Sequence, residues 1–336
     1  MKVTIRDVAR LAEVSPSTVS RALKNSSLIS QSTKDRIINA ANELGYHPNE
    51  IARSLAKQSS YTLGLVLPVT AEESLENPFF TRFILGVTSY LESQDYSLLL
   101  SSAKNESNEL QQIQRTAYSK RVDGIILLNI RDQDKNIAFL KEKQFPFVVV
   151  GTPENRKEML WVDNDNEKAM YNLTKELILT QHKKIAFLGG SKDLIVTQNR
   201  LKGYKKALLD HNMKPDPSLI LEVNFRESEG YYFTQKLLKE IPDIDAIVTT
   251  DDLIAYGSIR AIKELGYQIP NEISITGFNN TTLSQYLKPS LTSVEIHPTK
   301  LGANAAKLLV SYIKDNEIKK NSYIVNTEII KRNSSR

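Results

Sequence analysis

Residues 3–25 read VTIRDVARLAEVSPSTVSRALKN, and they decide how the chain begins. Ile5, Val8, Ala9 and Ala12 recur at helical spacing behind Thr4, and Asp7 stands three residues after that threonine, close to a capping box. Glu13-Val14 breaks the pattern. Ser15 then reads as an N-cap, with Pro16 at the first helical position, where a missing N–H costs nothing. Val19, Ala22 and Leu23 form the apolar stripe of this second helix, while Ser17, Thr18 and Arg21 lie off it. A third helix is predicted after Ser30, with Ile37, Ile38, Ala41 and Leu44 on its buried face and a stop at Gly45.

Two short helices at a tight turn, braced by a third, describe a helix-turn-helix unit, whose second helix enters the DNA major groove. A sharp start at Ser15-Pro16 lets the first turn approach base edges. Ser17 and Thr18 are small enough to hydrogen-bond to bases or phosphates, and Arg21 has the fork that bridges guanine N7 and O6. Charge points the same way. Residues 1–60 hold nine Lys/Arg and five Asp/Glu, a net of +4, whereas the other 276 residues hold 35 and 34, a net of +1. A local basic excess suits a polyanion or an anionic membrane surface.

The whole chain of 336 residues has room for a small domain plus a larger two-lobed one. With 40% hydrophobic and 25% charged residues it has material for real cores. The absence of cysteine excludes disulfides, thiolate metal sites and a cysteine nucleophile. His47, His182, His211 and His297 lie far apart and form no HExxH pattern, so neither a metal nor another cofactor is expected. No leader-like or membrane-length apolar run is present, and a cytoplasmic location is expected.

A second motif follows the head. In LGYHPNEIARSLA (44–56), Asn49 reads as a cap and Glu50 to Lys57 as one short helix with Ile51, Ala52 and Leu55 on one face. A helix this short is marginal alone and needs a partner for its order. Together, the two motifs resemble the N-terminus of the lactose/galactose-repressor (LacI/GalR) family of bacterial transcription regulators. The resemblance implies that residues 48–58 are a hinge helix that orders on the operator. Leu55 then wedges into the minor groove and kinks the DNA, with Ala52 and Arg53 beside it. The expected DNA contacts are Thr4, Ser15, Pro16, Ser17, Thr18, Ser20, Arg21, Asn25, Ala52, Arg53 and Leu55.

After AKQSS the pattern changes. Strands are predicted at TLGLVLP (62–68), YSLLLSS (96–102), GIILLN (124–129), FVVVG (147–151), KIAFLGG (184–190), AIVTTDD (246–252), ISITGF (273–278) and LTSVEI (291–296), with a last strand-like segment at Tyr323–Ile330. Helical patterns such as Phe80–Leu91 and Asn199–Leu209 lie between them. Such alternation implies parallel sheets flanked by helices, in two lobes. Ligands in such sheets bind beyond the carboxyl ends of the strands. Phe79, Trp161, Arg200, Asp251 and Asn279 stand in those places or close by. Aromatic faces with forked polar groups suit a sugar. Asp251-Asp252 is a poor hydrolytic pair, because neighbours on one loop seldom flank a glycosidic bond from two sides. FLGGS lacks the spacing of a nucleotide loop, and no GxSxG occurs. An enzyme is not expected.

This part resembles the type 1 periplasmic-binding-protein core of the same family, two lobes joined by three crossings. The resemblance implies effector contacts from Arg200 (in NRLKGY), Asp251 (in TTDD), the aromatics Trp161 and Phe225, and Asn279. At Asn279 the string GFNN replaces the family's usual GFDD, so an amide stands for a carboxylate. ENPFF, TTDD and GFNN together are most similar to maltose-operon repressors of Gram-positive bacteria. The implied organisation is a helix-turn-helix head (1–47), a hinge (48–58) and a core (61–336). Its N-lobe is placed at about 61–160 and 293–322, and its C-lobe at about 161–290 and 323–330. The implied partners are a palindromic double-stranded operator, a small sugar such as maltose, and a second copy in a homodimer. A catabolite-control regulator with a phosphoprotein corepressor, or a sugar receptor with no DNA role, stand as alternatives.

Overall fold

The computed structural model describes residues 3–336 except 24, 47–58, 69, 129 and 319, and the chain divides into two compact units, residues 1–60 and 61–336. In the first, α1 (Ile5–Leu11), α2 (Pro16–Leu23) and α3 (Gln31–Glu43) enclose a small core of Val8, Ala9, Ala12, Val19, Ala22, Ile37, Ala40 and Ala41. Thr4 donates its backbone N–H and its hydroxyl to Asp7 Oδ2, at 2.9 and 2.7 Å, which closes the predicted cap. Glu13 turns the chain with φ of 51°. Ser15 Oγ accepts from Thr18 N at 3.2 Å to start α2, and Ser30 caps α3 by accepting from Thr33 N. One expected core residue is misplaced. Ile38 is 42% exposed, and Ala40 is buried instead. At about 100° per residue, Ile37, Ala40 and Ala41 fall within one arc of α3, and Ile38 lies about 60° beyond its edge.

The larger unit holds two six-stranded sheets. The first runs β11-β5-β4-β3-β1-β2, from β1 (Thr62–Leu67), β2 (Ser97–Ser102), β3 (Gly124–Leu127), β4 (Phe147–Val150), β5 (Leu160–Asn164) and β11 (Ser322–Val325). The second runs β12-β10-β9-β8-β6-β7, from β6 (Ile185–Gly189), β7 (Ile220–Glu222), β8 (Ala246–Thr249), β9 (Ser274–Phe278), β10 (Thr292–Glu295) and β12 (Glu328–Ile330). Among the strand pairs of the described residues, only β10–β12 is antiparallel. The central strands are buried along their length, as their unbroken apolar runs require.

The chain passes between the sheets after Asn164, after Glu295 and between Val325 and Glu328. The lobe limits expected at 160/161, 290/293 and 322/323 are therefore corrected. Leu160–Asn164 belongs to the first sheet, Thr292–Glu295 belongs to the second, and Tyr323–Ile330 is two strands in different sheets. Helices cover the faces in pairs. The helix Pro78–Glu92 packs on Pro298–Asp315 in the first lobe, and Asn166–Leu179 packs on Ile195–Asp210 in the second. Gly86 lets the first pair approach closely, since a Cβ there would sit 1.9 Å from the Thr299 carbonyl oxygen.

Candidate nucleic-acid interface and ligand cavity

On the head, Ser15, Pro16, Ser17 and Arg21 are exposed, and Thr18 and Ser20 are half-buried. The buried stripe of Val19 and Ala22 fixes which side of α2 faces outward. Ser15 Oγ lies 2.7 Å from Ser17 Oγ and 2.8 Å from Thr18 Oγ1, so the hydroxyls form one cluster at the start of α2. Thr4 is exposed but engaged by Asp7. Asn25, at φ of 54°, accepts from Lys34 Nζ at 2.7 Å, so its side chain already braces the turn into α3. Arg6 and Arg10 on α1 are exposed cations that the sequence pattern did not single out. Ala52, Arg53 and Leu55 lie outside the described residues.

In the core, a cavity of about 470 Å³ opens between the carboxyl ends of the two sets of strands. Phe79, Arg200, Phe225, Asp251 and Asn279 all stand on its wall, from both lobes. Asn77 caps the helix Pro78–Glu92 by accepting from Phe79 N, which sets Phe79 at the mouth beside Phe80 and Phe83. Phe225 lies over Gly190, where any Cβ would sit 2.2 Å from the ring. Arg200 does not open its helix, as its place in the sequence suggested; it is the sixth residue of Ile195–Asp210.

Trp161 is a correction. It sits within β5, packed in the apolar cluster of Ile113, Ile125 and Val149, and donates its indole N–H to the Arg156 carbonyl at 3.2 Å. It does not line the cavity. Asp163, two residues and roughly 7 Å further along the strand, reaches the cavity in its place.

The polar floor is a buried charge cluster. Arg200 donates to Asn166 Oδ1 at 2.9 Å and to the Thr250 carbonyl at 2.6 Å, and stacks 3.8 Å above the Phe278 ring. Burial lowers its pKa to about 10 against the pull of Asp251 and Asp163. Asp251 caps the helix Asp252–Glu264 by accepting from Leu253 N at 2.7 Å, and accepts from Asn279 Nδ2 at 2.7 Å. Burial, then the neighbouring Asp252, push it up to about 7. Asp163 accepts from Thr152 Oγ1 and Asn166 Nδ2, and burial raises it to about 6. Asp252 points elsewhere: its oxygens accept from Ser284, Ser293 and the Thr281 N–H, and it is absent from the wall.

The sequence reading missed Asn166 and Asn224, which also line the cavity, and two of the three cations that do so, Arg131 and Arg226. Arg131 bonds to Glu109 at 3.0 Å, and Arg226 pairs with Glu73 across the mouth, second lobe to first. With carboxylate partners on these two cations, and Asp251 and Asp163 near Arg200, the wall favours a neutral hydroxylated ligand over an anion. Among the described residues no cluster could hold a metal ion, and no helix is long and apolar enough to cross a membrane.

Comparison with known proteins agrees with this layout. Residues 4–49 match the lacI family of bacterial regulatory proteins, and residues 174–335 match a periplasmic binding protein-like domain. The HTH-type transcriptional regulator MalR of Streptococcus pneumoniae is 38% identical over 94% of each chain. Catabolite control protein A of Priestia megaterium is 32% identical over 93% of each. Among solved structures, the complex of the transcriptional regulator CelR with cellobiose superposes with a TM-score of 0.78, at 28% identity over 99% of each chain. These similar proteins are regulators rather than enzymes, and the chain belongs with them to the lacI family, as a DNA-binding transcriptional regulator.

Proposed function

We propose that the chain is a cytoplasmic repressor whose hold on a palindromic operator is set by a small sugar, maltose or a short maltooligosaccharide. The observation that carries the sugar reading is the cavity, with aromatic rings at Phe79 and Phe225 above a floor of Asp163, Arg200, Asp251 and Asn279. Rings stack on the C–H faces of a pyranose, and forked polar groups take its hydroxyls. The CelR relative holds cellobiose, a glucose disaccharide, which supports a ligand of this class.

Two heads, one from each subunit of a homodimer, read the two half-sites. Ser17, Thr18 and Arg21 read base edges, and Thr4, Ser15, Pro16, Ser20 and Asn25 sit where phosphates pass. Ala52, Arg53 and Leu55 enter the minor groove, where Leu55 wedges between base pairs and offsets the unstacking by the contacts that bent DNA allows. The sugar acts by its differential affinity for two arrangements of the lobes.

The test is to select operator fragments from genomic DNA and titrate the complexes with maltose, maltotriose, cellobiose and lactose, with calorimetry alongside. Saturable release by the maltooligosaccharides alone is expected, and no binding at millimolar concentration sinks the sugar assignment. Leu55→Ala is expected to cost about 1–3 kcal/mol of operator binding and to leave sugar affinity unchanged. The likeness to catabolite control protein A favours a second reading, a phosphoprotein corepressor. Retention of the phosphorylated carrier on immobilised protein, with no sugar response, would favour it.

A further inference from the structure

The two lobes are tied together by a residue that does not itself line the cavity. Arg82, on the first-lobe helix Pro78–Glu92, reaches residues of the second lobe. Its Nη1 donates to the backbone carbonyls of Asn279 at 3.4 Å and Asn280 at 3.2 Å. Its Nη2 donates to the two carboxylate oxygens of Glu295, at 3.2 and 3.3 Å. Glu295 is nearly buried, ends β10 beside a lobe crossing, and also accepts from Asn280 Nδ2 at 2.9 Å and from the His297 N–H at 2.6 Å. One guanidinium therefore meets four acceptors at three residues of the opposite lobe. Only a planar, multi-donor group can do this; an ammonium cannot fork in the same way.

The segment that Arg82 holds is strained. Asn279 has φ of 103° and Asn280 has φ of 47°. Asparagine tolerates the second value, whereas the first is foreign to a residue with a Cβ and persists only where its surroundings over-determine it. Asn279 N donates to the Val294 carbonyl, Asn280 N donates to Ser293 Oγ, and Arg332 donates to Asn280 Oδ1. The same Asn279 gives its side-chain amide to Asp251 Oδ2 on the cavity floor, at 2.7 Å. A single strained residue thus carries a cavity contact on its side chain and a first-lobe contact on its backbone.

We propose that Arg82 is a positioning residue that transmits the state of the cavity to the first lobe through the Asn279–Asn280 turn. A ligand hydroxyl that takes over Asp251 releases the Asn279 amide. The strained turn then loses one of its supports and relaxes, its carbonyls leave the Arg82 fork, and the helix Pro78–Glu92 is freed to shift. The coupling is reciprocal, so cutting the fork weakens communication without removing any side chain from the cavity wall. The inference rests on the sugar reading only for the identity of the ligand.

The test uses the full chain with Arg82→Gln, Arg82→Lys and Glu295→Gln. In the first arm no ligand is present, and hydrogen exchange is followed at residues 279–284. Arg82→Gln is expected to lower protection there by roughly tenfold or more, with Glu295→Gln less affected; protection equal to wild type overturns the proposal. In the second arm, operator affinity is measured with and without maltotriose, beside calorimetric sugar affinity. Arg82→Gln is expected to bind sugar at least as tightly as the wild type, because the fork that binding must break is gone, while the ratio of operator affinities falls by roughly tenfold, within the usual range of allosteric coupling. Arg82→Lys is expected to fall between. A wild-type ratio in Arg82→Gln, or a ratio lost only in step with sugar affinity or melting temperature, overturns it. If Arg82→Gln fails to fold, Arg82→Lys and Glu295→Gln decide by the same criteria. If the wild-type chain binds no maltooligosaccharide, the sugar reading fails, and the ligand-free arm alone decides the role of Arg82.

Discussion

Replacing Arg200 by alanine removes the one guanidinium buried beside two carboxyls. Two hydrogen bonds go, to Asn166 and to the Thr250 carbonyl, together with the stack on Phe278. Asp251 and Asp163 also lose the cation that lowers their pKa values. Each buried acceptor left unsatisfied costs about 1–3 kcal/mol. The pH dependence carries the sharper signal. Both carboxyls titrate higher in the folded core than the usual 3.8, near 7 and 6. Their protonated forms therefore favour the folded state, and this contribution is lost as pH rises from about 4 through 7. Without Arg200 the folded values rise further, so the loss continues above pH 7, at about 1.4 kcal/mol for each unit of added shift. Urea unfolding of both chains at pH 5 and pH 8 is the assay. The deficit of Arg200→Ala is expected to be larger at pH 8, by about 1–3 kcal/mol. A deficit that is the same at both values would refute the electrostatic part of this reasoning. It follows that an inducer-blind phenotype in Arg200→Ala must be scored against its fold, whereas Asn224→Ala, on the exposed part of the wall, tests sugar contact more cleanly.

Trp161→Phe is expected to bind sugar as the wild type does, because the indole lies off the cavity; a large affinity loss in calorimetry would return it to the site. Trp161→Ala should instead lower core stability by about 3–5 kcal/mol. Gly86→Ala drives a methyl into the Thr299 carbonyl and should cost about 1–3 kcal/mol in urea unfolding, with operator affinity kept under native conditions. Operator affinity should fall by about 10³–10⁵ between 50 and 200 mM salt if the heads touch six to ten phosphates, while sugar affinity of the core stays flat. A shallow salt slope would mean that the basic head makes few phosphate contacts.

Five of the six expected effector residues stand on one cavity. Asp251 and Asn279 directly follow β8 and β9, so the strand ends locate them. Phe79 and Arg200 lie on helices well past β1 and β6, and Phe225 follows a short strand that the sequence does not announce, so it was implied by the resemblance alone. Trp161 was misjudged because LWVDN did not read as a strand: it is short, and its last two residues look like a turn. Once β5 is seen, Asp163 becomes the end-of-strand residue. The break at Asn326-Thr327, which sends Ser322–Val325 and Glu328–Ile330 to different sheets, carries no glycine or proline to announce it. Arg82 was invisible for another reason. Its partners at 279, 280 and 295 are about two hundred residues away, and no local pattern encodes so distant a contact.

The three crossings also order events during synthesis. The three helices of the head close a core of their own and can fold as soon as they emerge. Neither lobe can do so. β5 waits for β11 to cover its edge, pairing Trp161 with Ser322, and β10 waits for β12, pairing Ser293 with Ile330. Until the last segment arrives, the apolar, buried strands β5 and β10 stand as edges in place of the more exposed β11 and β12, available to another nascent chain. A message truncated after residue 315 would yield a folded head attached to a core with two such edges, a product able to reach DNA yet prone to aggregate.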